Sequence, residues 1–117
     1  MSQKISLLAL TVKATAALSA HTFVTAQGAV ATAAGDAHGV VVADAAIGDL
    51  VSVDVLGTSI VKVAATVTAG ARVEVGADGG ITPLDAGIPV GRALEAGEAG
   101  DLVEVFLFQG ASATAAV

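Results

Sequence analysis

The chain has 117 residues, and its 55% hydrophobic content is built from 27 Ala and 18 Val against 10 Leu, 5 Ile, 3 Phe and 1 Met, with no Tyr, Trp or Cys. That composition excludes a disulfide framework, a thiol nucleophile, a cysteine-held metal and an aromatic platform for bases or sugars, and the length is that of one domain. The formal charge of −6 is uneven: residues 1–27 hold Lys4 and Lys13 and no acid, and the remaining three cations and all eleven acids follow, an acidic body that argues against nucleic acid as a partner.

Lys4 ahead of apolar Ile5–Val12, with small residues at Ala14–Ala20, has the outline of a signal peptide. The apolar stretch is short, because Lys13 interrupts it. Ile5–Val12 alternates loosely and reads as a first strand or as an extended arm. The uncharged run Ala14–Gly35 has the length of a membrane span, but Thr15, Ser19, His21, Thr22, Thr25, Gln27, Gly28 and Thr32 would put too many polar groups in lipid, so no membrane is expected. Thr22–Thr25 and Ala29–Thr32 flank the Gln27-Gly28 break as in a hairpin, and Val40–Ala43 is an apolar run after Gly39.

Leu50–Leu56 alternates, with Val51, Val53 and Val55 on one face and Ser52 and Asp54 on the other, the pattern of a half-buried strand. Gly57-Thr58 reads as a turn into Ile60–Ala64, where Ile60 and Lys62 oppose Val61 and Val63. Another turn at Thr68-Ala69-Gly70 precedes the strand Arg72–Val75. Ala77-Asp78-Gly79-Gly80 is the strongest hairpin signal, since Asp-Gly and Gly-Gly supply the positive φ of tight turns. Pro83 and Pro89 confine the strand that starts at Ile81 to an edge or an irregular position. Ile88–Leu94 and Leu102–Phe108 are the last strands, with Phe106 and Phe108 read as facing the core and Leu107 away from it. Short strands between Gly turns imply an all-β sandwich or barrel. Residues 1–20 form the arm or first strand, 21–109 the barrel, and 110–117 a flexible, Ala-rich tail.

Gly39–Val53 aligns without gaps on Gly91–Val105 at an offset of 52, with six identities in 15. Each copy reads as a strand, a turn ending in Gly-Asp and a second strand, either a duplication or a recurrent hairpin solution. Gly48-Asp49 and Gly100-Asp101 are the turn residues, because Asp after Gly bonds its own backbone; Asp78 and Gly79 play the same structural part.

Chemistry is sparse. His21 and His38 are isolated, and no carboxylate recurs at metal-ligand spacing. Asp36-Ala37-His38 would place a carboxylate and an imidazole on one side of a strand, but a single Asp-x-His reads more simply as a polar loop. Gly76–Gly80 lacks the Lys-Ser/Thr of a phosphate loop. Glu95 and Glu98 read as solvated turn charges. Neither a catalytic site, nor a cofactor, nor a metal is expected.

The order of Gly39-Val40-Val41, Ala45 to Val53, Gly57 with Val61, Thr68 to Val73, the Asp78-Gly79 turn with Thr82, Ile88 to Ala96 and Ala99 to Val105 resembles the small capsid decoration proteins of tailed phages, also called cement or head-stabilising proteins. The resemblance implies a small β-barrel or β-tulip of short antiparallel strands on the outside of the expanded icosahedral head, made in the host cytoplasm. It implies no enzyme activity, the major capsid protein as partner, and a homo-oligomer, a trimer before a dimer. Beside it, a thin Ala/Val core favours burial between subunits, and avidity multiplies weak contacts. The N-terminal segment is the candidate capsid-contact arm, with Ile5, Leu7 and Leu8 as anchors and Lys4 and Lys13 as its cations. A secreted or surface β-domain that binds protein or glycan is the alternative, weakened by the missing Trp and Tyr.

Overall fold

The computed structural model describes residues 4–108; the tail 110–117 lies outside them. Alternation produces eight strands in this span: β1 (Ser6–Lys13), β2 (Thr22–Val24), β3 (Gly39–Val41), β4 (Leu50–Lys62), β5 (Arg72–Val75), β6 (Ile81–Pro83), β7 (Gly91–Ala93) and β8 (Leu102–Leu107). Every strand pairs antiparallel, giving one curled half-barrel sheet in the order β2-β3-β4-β8-β7-β5-β6, with β1 added on β4. The all-β class read from the sequence is the class observed. Pro83 ends β6 at the margin of that order, where its missing N–H costs no ladder bond. Asp78 and Gly79 turn β5 into β6, with Gly76 N–H donating to the Gly80 carbonyl at 2.7 Å.

Two expectations are corrected. Gly57-Thr58 does not turn the chain; β4 runs through it for 13 residues. Gly57 sits at φ +98 beside a register shift in the β1 pairing, and a Cβ there would lie 2.2 Å from the Ile5 carbonyl oxygen. The glycine therefore serves as a bulge that lets β1 approach, without ending the strand. In β8 the facing of the aromatics is reversed: Val103, Val105 and Leu107 are buried, Phe106 is 46% exposed and Phe108 is half-buried. Period two puts Phe106 in series with Leu102 and Glu104, so turning the rings inward would turn that carboxylate inward as well.

The internal echo is a duplication of structure, and it reaches further than Gly39–Val53. With an offset of 49, Val12–Val24 corresponds to Val61–Val73, five residues of 13 being identical. The backbone bonds repeat in kind. Ala14 N–H donates to the Asp49 carbonyl as Val63 does to Asp101, both at 2.8 Å, and Gly48 donates to Ala14 as Gly100 does to Val63. The bridge Leu18–Ala45 matches Val67–Gly97, and the pairing of β1 with the first half of β4 matches that of the second half of β4 with β8. Strand β4 thus belongs to both halves.

The cores repeat likewise. One cluster holds Val12, Ala14, Leu18, Val24, Val41, Ala45, Val51, Val53 and Val55. Adding the offsets gives Val61, Val63, Val67, Val73, Ala93, Gly97, Val103, Val105 and Leu107, and all but the glycine lie in the other cluster. That second cluster also takes Phe23, Ala31, Ala37 and Val40 from the first half, which welds the two together. Phe23 and Ile81 are its bulkiest fully buried side chains, and valines supply the rest. The interior is as thin as the composition implies.

Candidate docking surface

Strand β1 is held along one edge and covered on neither face over most of its length. Leu7 and Leu8, at the register shift in the pairing with β4, are 70% and 45% exposed. Ile5 at 57% and Leu10 at 40% extend the series. Leu8 lies opposite Leu56, itself 47% exposed, and Thr58 lies opposite the outward Phe106 of β8. Exposed apolar side chains therefore occur on β1, β4 and β8. Large side chains left in water on adjacent strands mark an interaction surface.

Polar bonds fix the far end of β1. Ile5 N–H donates to Thr58 Oγ1, and Thr58 N–H donates to the Ile5 carbonyl, both at 2.8 Å. Asp54 is buried and collects three donors: the Ser6 hydroxyl on Oδ1 at 2.9 Å, the Ser59 hydroxyl on Oδ2 at 2.9 Å, and the Lys4 ammonium 3.1 Å from Oδ2. A buried carboxylate is tolerated only with such partners. Alternation alone assigned Asp54 to solvent with Ser52. The missed signal was an acid in an otherwise Val/Leu-rich strand, with Lys4 and Ser6 in the segment that pairs beside it.

Of the proposed arm residues, the structure gathers Ile5, Leu7 and Leu8 on one strand and commits Lys4 to Asp54. Lys13 sits at the other end of β1, opposite Leu50. The segment is a strand of the chain's own sheet, one of the two forms the sequence allowed. The two Gly-Asp turns have matching geometry: Gly48 and Gly100 adopt φ +93 and +95, and Asp49 and Asp101 each accept through Oδ2, at 2.9 Å, the N–H of the third residue before them, Ala46 and Glu98. His21 occupies the left-handed position in the first half that Gly70 holds in the second.

Two other acids are structural. Glu74 Oε1 accepts the N–H groups of Asp85 and Gly87 at 2.7 and 3.0 Å, pinning the loop before β7. Glu95 is not merely solvated: its Oε2 accepts the Glu104 N–H at 2.8 Å. A groove of about 590 Å³ lies between the halves, with Ser19, Thr22, Lys62 and Asp78 among its lining residues. Among the described residues no three His, Cys, Asp or Glu side chains group as metal ligands, and no helix is long and apolar enough to cross a membrane.

A search of curated proteins finds no match. Among solved structures the chain is similar to the head fiber gp8.5 N base of bacteriophage phi29, at a TM-score of 0.72 and 24% identity over 88% of this chain and 95% of that one; the likeness is one of fold. The family model for phage cement protein matches residues 1–107. An all-β, thin-cored chain with large apolar residues exposed on β1, β4 and β8, matched over nearly its whole length, thus belongs to the phage cement protein family and is a component of the outer surface of the virion capsid.

Proposed function

We propose that the protein binds the outer surface of the expanded icosahedral head through the major capsid protein, as a homotrimer, and reinforces the shell mechanically against packaged DNA, without catalysis. The observation that carries this reading is the set of exposed apolar side chains on β1, β4 and β8, with Ile5, Leu7, Leu8, Leu56 and Phe106 among them and the start of β1 anchored at Asp54. Full burial of one Leu or Ile contributes roughly 1.5–3 kcal/mol, so a few such anchors per chain suffice for firm attachment when three chains act together. The thin Val/Ala interior supports an assembly as the working unit, because burial between subunits supplements a sparse core. The fold shared with a head-fiber base points the same way.

The test is sedimentation of the purified protein with expanded and with unexpanded heads, together with light scattering of the free protein. The reading expects co-sedimentation with expanded heads, a trimer mass, and decorated heads that release DNA at higher temperature than bare ones. A folded protein that leaves expanded heads undecorated sinks it.

A further inference from the structure

Both arginines of the chain stand together. Arg72 of β5 is directly opposite Arg92 of β7, and Arg92 is directly opposite Phe106 of β8, with no register shift in either pairing. Directly opposed residues of paired strands share a face, and this one is the outer face. The alternate residues Val73, Gly91, Ala93, Val105 and Leu107 are buried, whereas both arginines are exposed and Phe106 is 46% exposed. Like charges placed opposite one another destabilise a sheet. Nothing within the chain relieves this pair: neither guanidinium forms an ion pair among the described residues. The one acid of β5, Glu74, is buried with its Oε1 taken by the N–H groups of Asp85 and Gly87. Arg92 is held all the same. Its Nη1 donates to the Gly70 carbonyl at 2.9 Å, a neutral partner that fixes the planar fork without cancelling its charge. Leu94, two residues on from Arg92, adds an apolar side chain at 44% exposure.

We propose that Arg72 and Arg92 form a two-armed carboxylate clamp, and that its occupant is an acidic side chain on the surface of a coat subunit. The identity of that partner rests on the cement reading; the chemistry by which it is recognised goes beyond it. Charge complementarity carries the assignment. Eleven acids against five cations give the chain a formal charge of −6, so an acidic partner is repelled everywhere except at a local positive site such as this one. A guanidinium meets a carboxylate through two parallel N–H···O bonds, a geometry that lysine lacks, and the second guanidinium across the strand pair adds further donors. A fork already fixed by Gly70 loses little freedom on binding. Phe106, in the same row, belongs to the exposed apolar set that carries the attachment to the head. Nucleic acid fits this face poorly, because phosphate binding needs many cations and the three lysines lie elsewhere. Lys4 is spent on Asp54, and Lys13 and Lys62 end β1 and β4.

The experiment measures binding to expanded heads for the unmodified protein, Arg72→Gln, Arg92→Gln and the double glutamine variant, after circular dichroism shows all four folded. The Arg72 side chain has no bond within the described chain to lose, so Arg72→Gln tests the clamp without disturbing the Gly70 turn. Each single variant is expected to bind roughly 10-fold more weakly and the double variant roughly 100-fold. Arg72→Lys with Arg92→Lys keeps the charge and loses the fork, and is expected to bind between the unmodified protein and the double glutamine variant. Heads whose surface carboxylates are capped with carbodiimide and glycinamide are expected to hold the unmodified protein no better than the double glutamine variant. A double glutamine variant that binds like the unmodified protein, or capping that weakens neither or both alike, overturns the clamp and leaves the cement reading standing. So does a double variant whose free form loses the self-association of the unmodified protein in light scattering, because the arginines then join copies of this chain. Failure of the unmodified protein itself to bind expanded heads overturns both.

Discussion

At Asp54 three donors converge on one carboxylate, and this arrangement, more than hydrophobic packing, holds the start of β1 in place. Asp54→Ala strands the buried Ser59 hydroxyl and releases Ser6 and Lys4, so a loss of about 2 kcal/mol is expected in urea denaturation. Lys4→Ala is expected to cost less than about 1 kcal/mol, because its side chain is 41% exposed. The pairing was not legible in the sequence: alternation assigns a face, and burial of that face depends on which segment lies against it. Phe106 and Leu107 show the same limit from the other side. Residue bulk pointed the rings inward, whereas the valine series of β8 decided the facing. Leu107→Ala is expected to cost about 2–4 kcal/mol and Phe106→Ala under about 1 kcal/mol, and equal costs would contradict the assigned facing.

Among the elements, β4 organises the molecule because three strands pair with it, β1 and β3 over its first half and β8 over its second. Gly57 makes that possible. Gly57→Val adds side-chain atoms where the Ile5 carbonyl already sits and demands a left-handed backbone of a β-branched residue, so β1 is expected to detach. Amide exchange at Thr58, whose N–H bonds Ile5, should then accelerate at least tenfold while the β8 amides keep their protection. Unchanged exchange at Thr58 would count against the bulge. The Gly-Asp turns give a second element-scale test. Nothing lies within 4 Å of a Cβ added at Gly48 or Gly100, so Gly→Ala there meets only the backbone penalty, about 1–2 kcal/mol and alike in both halves. These turns, the Asp78-Gly79 hairpin and the edge position of Pro83 were readable because Gly, Asp and Pro act locally. The duplication was readable over Gly39–Val53 and missed over Val12–Val24, where the offset is 49 in place of 52 and His21 hides the glycine-like position.

For the molecule as a whole, the absences in the composition acquire a physical meaning. Two small valine cores welded by Phe23 leave Ile5, Leu7, Leu8, Leu50, Leu56, Leu102 and Phe106 outside, and the bulkier apolar residues go largely to the surface. Family membership places the protein at the outer surface of a phage capsid. The most direct test of the account is cryo-microscopy of expanded heads incubated with the protein. It predicts added density outside the shell, with β1 and its exposed Ile5, Leu7 and Leu8 turned toward the coat subunits. Bare heads, or attached density with β1 left in solvent, would contradict it.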